Sequence, residues 1–181
     1  MITTARLFIR PFQEQDSESL FEYLSDPTVY RFEPGAPVSL EEAREITLKR
    51  AQGTVFWAVV LQSAQKMVGH LYFQQTEPEE FSTWELGYIF NPRFHNQGFA
   101  TESAAALIQY GFANFGIHRV VAYCNPENIA SWRVLEKIGM RREGHHRKNV
   151  FFHTAIDGSP AWVDSFEYAI LKEEMNPVEN T

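Results

Sequence analysis

Little in this chain of 181 residues suits covalent staples, membranes or nucleic acid. The single cysteine, Cys124, cannot close an internal disulfide, which fits a reducing compartment. No apolar run approaches the roughly 18 residues of a membrane span. The opening stretch MITTARLFIRPFQEQD lacks the apolar segment of a signal peptide, so a cytoplasmic location is expected. Basic residues are outnumbered, 16 Lys and Arg against 23 Asp and Glu, for a net charge of −7. A nucleic-acid binder would need a local basic patch against that field. The densest basic stretch, Arg141, Arg142, Arg147 and Lys148, is interrupted by Glu143, so neither nucleic acid nor membrane is an expected partner. Two phosphate-binding signatures are missing as well. Without GxxxxGKS/T, nucleotide hydrolysis lacks its lysine, and only Gly98 matches the GxGxxG of a dinucleotide turn.

What the chain has is apolar bulk. Hydrophobic residues make up 44% and aromatics 14%, enough for one core, and the length suits a single domain over residues 1–181. Leu7 to Phe12 alternates as a first strand. Asp16 is placed to cap a short helix carrying Leu20, Phe21 and Leu24, stopped at Asp26-Pro27. Ser39 and Glu42 form a capping box for a second helix to about Ala51. Strands are expected at Val55–Leu61, Met67–Gln74 and Thr83–Phe90, a helix at Thr101–Phe115 and a strand at His118–Asn125. Asn128 can cap a helix whose Ile129, Trp132, Leu135 and Ile138 form one stripe. Strands at about Glu143–Phe152 and Trp162–Leu171 close the chain around the turn Asp157-Gly158-Ser159-Pro160. The fold class is mixed α/β (α+β), with antiparallel hairpins around one β-α-β crossover.

The chemistry gathers in one segment, Trp84-Glu85-Leu86-Gly87-Tyr88-Ile89-Phe90-Asn91-Pro92-Arg93-Phe94-His95-Asn96-Gln97-Gly98-Phe99-Ala100-Thr101-Glu102. A strand ends, a glycine-bearing loop follows and a helix begins, which offers unpaired amides and a positive dipole end to an anion. Taken alone, the loop reads equally as an ordinary βα turn. Together with Asn125-Pro126-Glu127-Asn128-Ile129-Ala130-Ser131-Trp132-Arg133-Val134-Leu135, it resembles the GNAT superfamily of acyl-CoA-dependent N-acetyltransferases. The likeness is nearest to the branch that acetylates the N-terminal alanine or serine of ribosomal proteins.

That resemblance implies a twisted, mostly antiparallel sheet in which two parallel central strands, Trp84–Phe90 and Arg119–Asn125, splay apart. Acetyl-CoA is then the acyl donor, with the backbone of Tyr88, Ile89 and Phe90 along its pantetheine. His95, Asn96, Gln97, Gly98, Phe99, Ala100 and Thr101 surround its pyrophosphate, and Asn125 and Asn128 approach from the far side. His95 stands where the family often has Gln or Arg, and Leu135 stands where many members carry a proton-donating Tyr.

Transfer to an amine needs a base, because an alkylamine near pKa 10 is protonated at neutral pH. Glu85 is the expected base and Ser131 the expected proton donor to the thiolate, although Glu85 could be a plain sheet-face carboxylate and Ser131 could bond back to its helix. A strand amide near Ile89 is expected to hold the oxyanion. The acceptor reads first as a peptide or protein N-terminus; a polyamine or amino sugar, or a CoA-sensing module without turnover, are alternatives. Monomer and homodimer are both open. His145, His146 and His153 look like hairpin surface without matching acids, so no metal is expected. Cys124 reads as core or cofactor lining, Trp84 and Trp162 as core or substrate wall, and Glu33 as a loop acid within reach of an amine.

Overall fold

A computed structural model describes residues 1–175. Its elements run β1 (Ile2–Thr3), β2 (Leu7–Pro11), α1 (Ser17–Leu24), α2 (Leu40–Ala51), β3 (Phe56–Leu61), β4 (Lys66–Gln75) and β5 (Thr83–Phe90). They continue with α3 (Phe99–Asn114), β6 (Arg119–Cys124), α4 (Ile129–Lys137), β7 (Arg141–Val150) and β8 (Val163–Leu171). The strands form one eight-stranded sheet in the order β1-β2-β3-β4-β5-β6-β8-β7. Every pairing is antiparallel except β5 with β6.

Alternation along the strands gives each face of the sheet its own core. Leu7, Ile9, Leu86, Phe90, Val120 and Ala122 point to one face, where α3 contributes Leu107, Ile108 and Phe112 and α4 contributes Leu135. On the other face Ala58, Val60 and Met67 meet Leu20, Tyr23 and Leu24 of α1. Several boundaries follow the expected chemistry: Ser39 and Glu42 form the reciprocal capping box of α2, and Asn128 accepts the Ser131 amide at 3.2 Å.

Asp16 departs from expectation. It precedes α1, yet its carboxylate makes no cap bond to the helix. It takes a bidentate pair from Arg10 at 2.8 Å and the Gln13 amide at 2.8 Å. A buried carboxylate gains more from a planar guanidinium than from a neutral amide. Helix α3 also starts two residues early, because Gly98 (φ +81) takes the left-handed conformation that begins it.

His70 sits fully buried between the sheet and α1, its Nδ1 accepting from the Tyr23 hydroxyl at 2.6 Å. Burial, helped by the Arg50 charge, drives its pKa well below the ordinary imidazole value. The folded state therefore refuses a proton that the unfolded chain accepts below about pH 6.5, so stability falls as pH drops through that value. A His70→Gln variant is expected to show a flatter decline between pH 6.5 and 5 in urea unfolding, by up to about 1.4 kcal/mol per pH unit; parallel profiles would remove His70 from the linkage. Gly69 marks a second constraint, since a Cβ there would lie 2.7 Å from the Ile89 carbonyl and 2.5 Å from the Phe90 ring. Gly69→Ala is expected to cost about 1–3 kcal/mol, read as a fall in melting temperature of roughly 2–4 °C per kcal/mol. An unchanged melting temperature would show that β5 yields freely.

Candidate active site

The parallel ladder between β5 and β6 is short. It joins Thr83 to Arg119, Trp84 to Val120 and Glu85 to Val121, then stops, although β5 runs on to Phe90 and β6 to Cys124. The expected splaying is therefore present, and the register tells which groups it leaves bare. Residues directly opposite in an antiparallel pair alternate between bonded and unbonded. The Asn91 amide donates to Val68 O and the Thr76 amide to Thr83 O, so the odd-numbered residues of β5 direct their backbone at β4. Leu86 gives its amide to the last rung, at Val121, so its carbonyl and the backbone of Tyr88 and Phe90 are what face the gap. On the opposite bank the Lys172 amide donates to His118 O, which turns the even residues of β6 toward β8 and leaves Tyr123 facing the gap.

This parity narrows the expectation of a strand amide near Ile89 to its two neighbours. Ile89 cannot offer its amide to an oxyanion in the gap, because that amide belongs to the β4 ladder; Tyr88 and Phe90 are the residues with backbone to spare. The Phe90 carbonyl is already taken by His95, whose Nε2–H donates to it at 2.9 Å. His95 thus ties the loop back to the strand end.

The loop itself forms part of a cavity wall. Asn96 (φ 60) and Gly98 (φ 81) are both left-handed, and the first intrahelical bond of α3 runs from the Glu102 amide to Gly98 O. The amides of Phe99, Ala100 and Thr101 precede it and have no carbonyl of the helix to meet. Arg6 of the β1–β2 connection braces the loop, donating from Nη1 to Gln97 O at 2.9 Å and from Nε to Glu102 at 2.7 Å. Thr4 adds a 2.6 Å bond to Glu102. Burial would raise the Glu102 pKa, but these bonds outweigh it and hold the carboxylate below its ordinary range.

Two cavities meet at the gap. One, about 710 Å³, runs along the loop and α4 and is lined by three cations, Arg31, Arg133 and Lys137. The other, about 790 Å³, reaches from Arg50 of α2 to β7 and β8 and carries Glu33, Glu85, Asp164 and Glu167. Phe32, Glu33, Tyr88, Ile89, Asn128 and Ser131 line both, and so mark the junction. Desolvation raises the Glu33 pKa to about 7 and raises that of Glu85 as well. Ser131 does not bond back to its helix through its hydroxyl; its Oγ lies 3.0 Å from the Tyr88 hydroxyl, which also donates to Ser131 O at 2.9 Å. Burial holds the Tyr88 phenol protonated. The Cys124 thiol lines the acidic cavity with its pKa raised to about 11, again by burial. Asn125 accepts the Glu127 amide at 2.8 Å and shapes the turn into α4.

Of the residues expected from the sequence, the structure brings Glu85, Tyr88, Ile89, Asn125, Asn128 and Ser131 to one cavity, and Phe90, His95, Asn96, Gly98, Phe99, Ala100 and Thr101 to the other. Gln97 sits in the loop between them, held by Arg6. Reasoning from sequence missed the cationic lining, although Arg133 and Lys137 stand four apart on one helix and were readable as a basic face. It also failed to find acids for the hairpin histidines. His145 pairs with Asp164 at 2.7 Å and His146 with Glu167 at 2.9 Å, both across β8. Trp84 is partly buried and stacks on the exposed Phe115 just beyond α3, and Trp162 is half-exposed against Phe151.

Coenzyme A is compatible with what is present: bare strand edges for amide groups, an unfilled loop at Gly98 and a cationic groove for phosphates. Comparison with known proteins agrees with this geometry. The family described as acetyltransferase (GNAT) domain matches residues 6–141. An uncharacterized N-acetyltransferase, YnaD of Bacillus subtilis, is 40% identical over 97% of this chain and 99% of its own length. A GNAT-family acetyltransferase from Bacillus anthracis, solved by crystallography, superposes with a TM-score of 0.85 at 40% identity, covering 96% of this chain and 99% of that one. The ribosomal protein uS5 alanine N-acetyltransferase of Escherichia coli is 26% identical over 97% of this chain and 93% of its own length. With a cofactor-sized groove, a splayed parallel pair and these relatives in agreement, the chain belongs to the GNAT acetyltransferases.

Proposed function

We propose that this acetyltransferase takes the acetyl group of acetyl-CoA and passes it to a primary amine, in first place the N-terminal amine of a peptide or protein. The observation that carries the reading is the meeting of a cationic groove and an acidic cavity at one break in the sheet. A polyanionic nucleotide suits the first and a protonated amine the second. The uS5 alanine N-acetyltransferase among the relatives supports an N-terminal acceptor.

Acetyl-CoA supplies a thioester carbon open to attack. The protein's task is to place a neutral amine against it. Glu33 stands where the cavities join and attracts the incoming ammonium. Glu85, the last residue of the parallel ladder, faces the acidic cavity and takes the amine proton. Its raised pKa brings it closer to the working pH, where a general base is most effective. The N–C bond forms as the C–S bond breaks. Ser131, whose Oγ is held 3.0 Å from the Tyr88 hydroxyl, gives its hydroxyl proton to the departing thiolate and regains one from solvent entering the cavity. The phenol comes from β5, so the helix can spend Leu135 on the core. Cations along the groove and the amides of Phe99 to Thr101 hold the phosphates.

Incubation with acetyl-CoA and a panel of N-terminal peptides, polyamines and amino sugars, read by mass spectrometry, tests the reading; no acetylated amine would refute it. Glu85→Gln is expected to lower kcat by about 10²–10⁴, with coenzyme A affinity kept. Glu33→Gln is expected to raise the KM for the amine and to erase its improvement as pH rises through 7, because only the ionised carboxylate attracts a cation. Ser131→Ala should lower turnover without changing coenzyme A binding by calorimetry. A normal rate in either Glu85→Gln or Ser131→Ala would remove that residue from the mechanism.

A further inference from the structure

Arg50, in the last turn of α2, is a half-buried cation with no ion pair among the described residues. Its guanidinium lies 4.0 Å from the Phe56 ring centre and 5.4 Å from that of Phe12. Nη1 is shut off from solvent with no hydrogen-bond partner. Among the described residues no carboxylate is paired with it; the groups that feel its charge are Tyr23, Tyr30 and His70. Burial keeps both phenols protonated and the imidazole neutral, so none of the three answers the charge. Contact with two aromatic faces offsets only part of the cost of desolvating an ion. Yet Arg50 also lines the acidic cavity, at the side away from the gap.

The spacing along the cavity floor is set by the sheet. Phe56 beneath Arg50 lies opposite Tyr72, Tyr72 lies opposite Gly87, and Glu85 stands two residues further along β5. Two strand spacings and two residues separate the Arg50 end from Glu85 by on the order of 10 Å. The cavity thus presents a lone cation at one end and acids at the other. Its net acidic lining opposes a dianion and leaves room for a single negative charge.

We infer that Arg50 anchors a carboxylate of the acceptor, so that the favoured amine belongs to a molecule carrying one carboxylate several bonds away, as in an ω-amino carboxylate or a short peptide. This rests on the amine-acetylating reading above and narrows it. Simple α-amino acids, whose two charges are adjacent, fall short of the span, and polyamines leave the guanidinium unanswered.

Matched probes test it: 6-aminohexanoate and its amide, and alanyl-alanine and its amide, titrated by calorimetry into the wild-type protein and Arg50→Gln. Acetyl transfer to each is followed in parallel by mass spectrometry. The wild type is expected to bind each acid at least tenfold more tightly than its amide. Arg50→Gln is expected to bind acid and amide alike, at the affinity the wild type shows for the amide. Equal wild-type affinities, or an acid preference that survives Arg50→Gln, would overturn the proposal. If Arg50→Gln does not fold, competition on the wild type decides: butyrate should displace the acids but leave the amides bound, and displacement of both or neither is contrary. An acid preference without any acetylation would keep the anchor and refute the amine-acetylating reading.

Discussion

Everything functional in this molecule depends on a ladder that stops too soon. Two parallel strands share bonds as far as Glu85 and Val121 and then part, leaving polar backbone along both banks of the gap. An unsatisfied amide or carbonyl away from water costs about 1–3 kcal/mol, so a sheet ending this way asks for something to bond. The antiparallel neighbours prevent the strands from closing it. β4 holds β5 along its whole length and β8 holds β6 along its own, so neither strand can swing across without breaking a complete ladder.

The surrounding elements give the gap its two approaches. On one side the left-handed Gly98 aims the start of α3 at an anion, and Arg6 with Glu102 fixes that start to the β1–β2 connection. On the other, the loop before α2 brings Glu33 to the junction and the cavity floor presents Glu85. Cations predominate on the groove side and acids on the cavity side, with Glu33 at the junction and Arg50 the exception at the far end of the cavity.

Much of this was legible in the chain. Ser39 with Glu42, the glycine after Gln97, and Asn128 before an apolar stripe each carry local chemistry, and local chemistry is what a sequence displays. What could not be read depends on pairing between distant segments. Which of Tyr88 and Ile89 faces the gap is a matter of register parity, set by β4 twenty residues away. Asp16 looks like a cap until Arg10 is brought beside it by β2. His145 and His146 look solitary until β8 supplies Asp164 and Glu167. Arg50 reads as an ordinary basic residue closing a helix; its isolation becomes visible only when Phe12 and Phe56 enclose it.

Amide hydrogen exchange on β5, followed by nuclear magnetic resonance with and without coenzyme A, reaches the central claim directly. The account predicts that the amides of Tyr88 and Phe90 exchange fast in the free protein and slow on adding coenzyme A, while that of Leu86, bonded to Val121, is protected throughout. Those of Gly87 and Ile89, already bonded to β4, should be protected in both states. Uniform protection along the strand before coenzyme A is added, or no alternating change after it, would contradict the account.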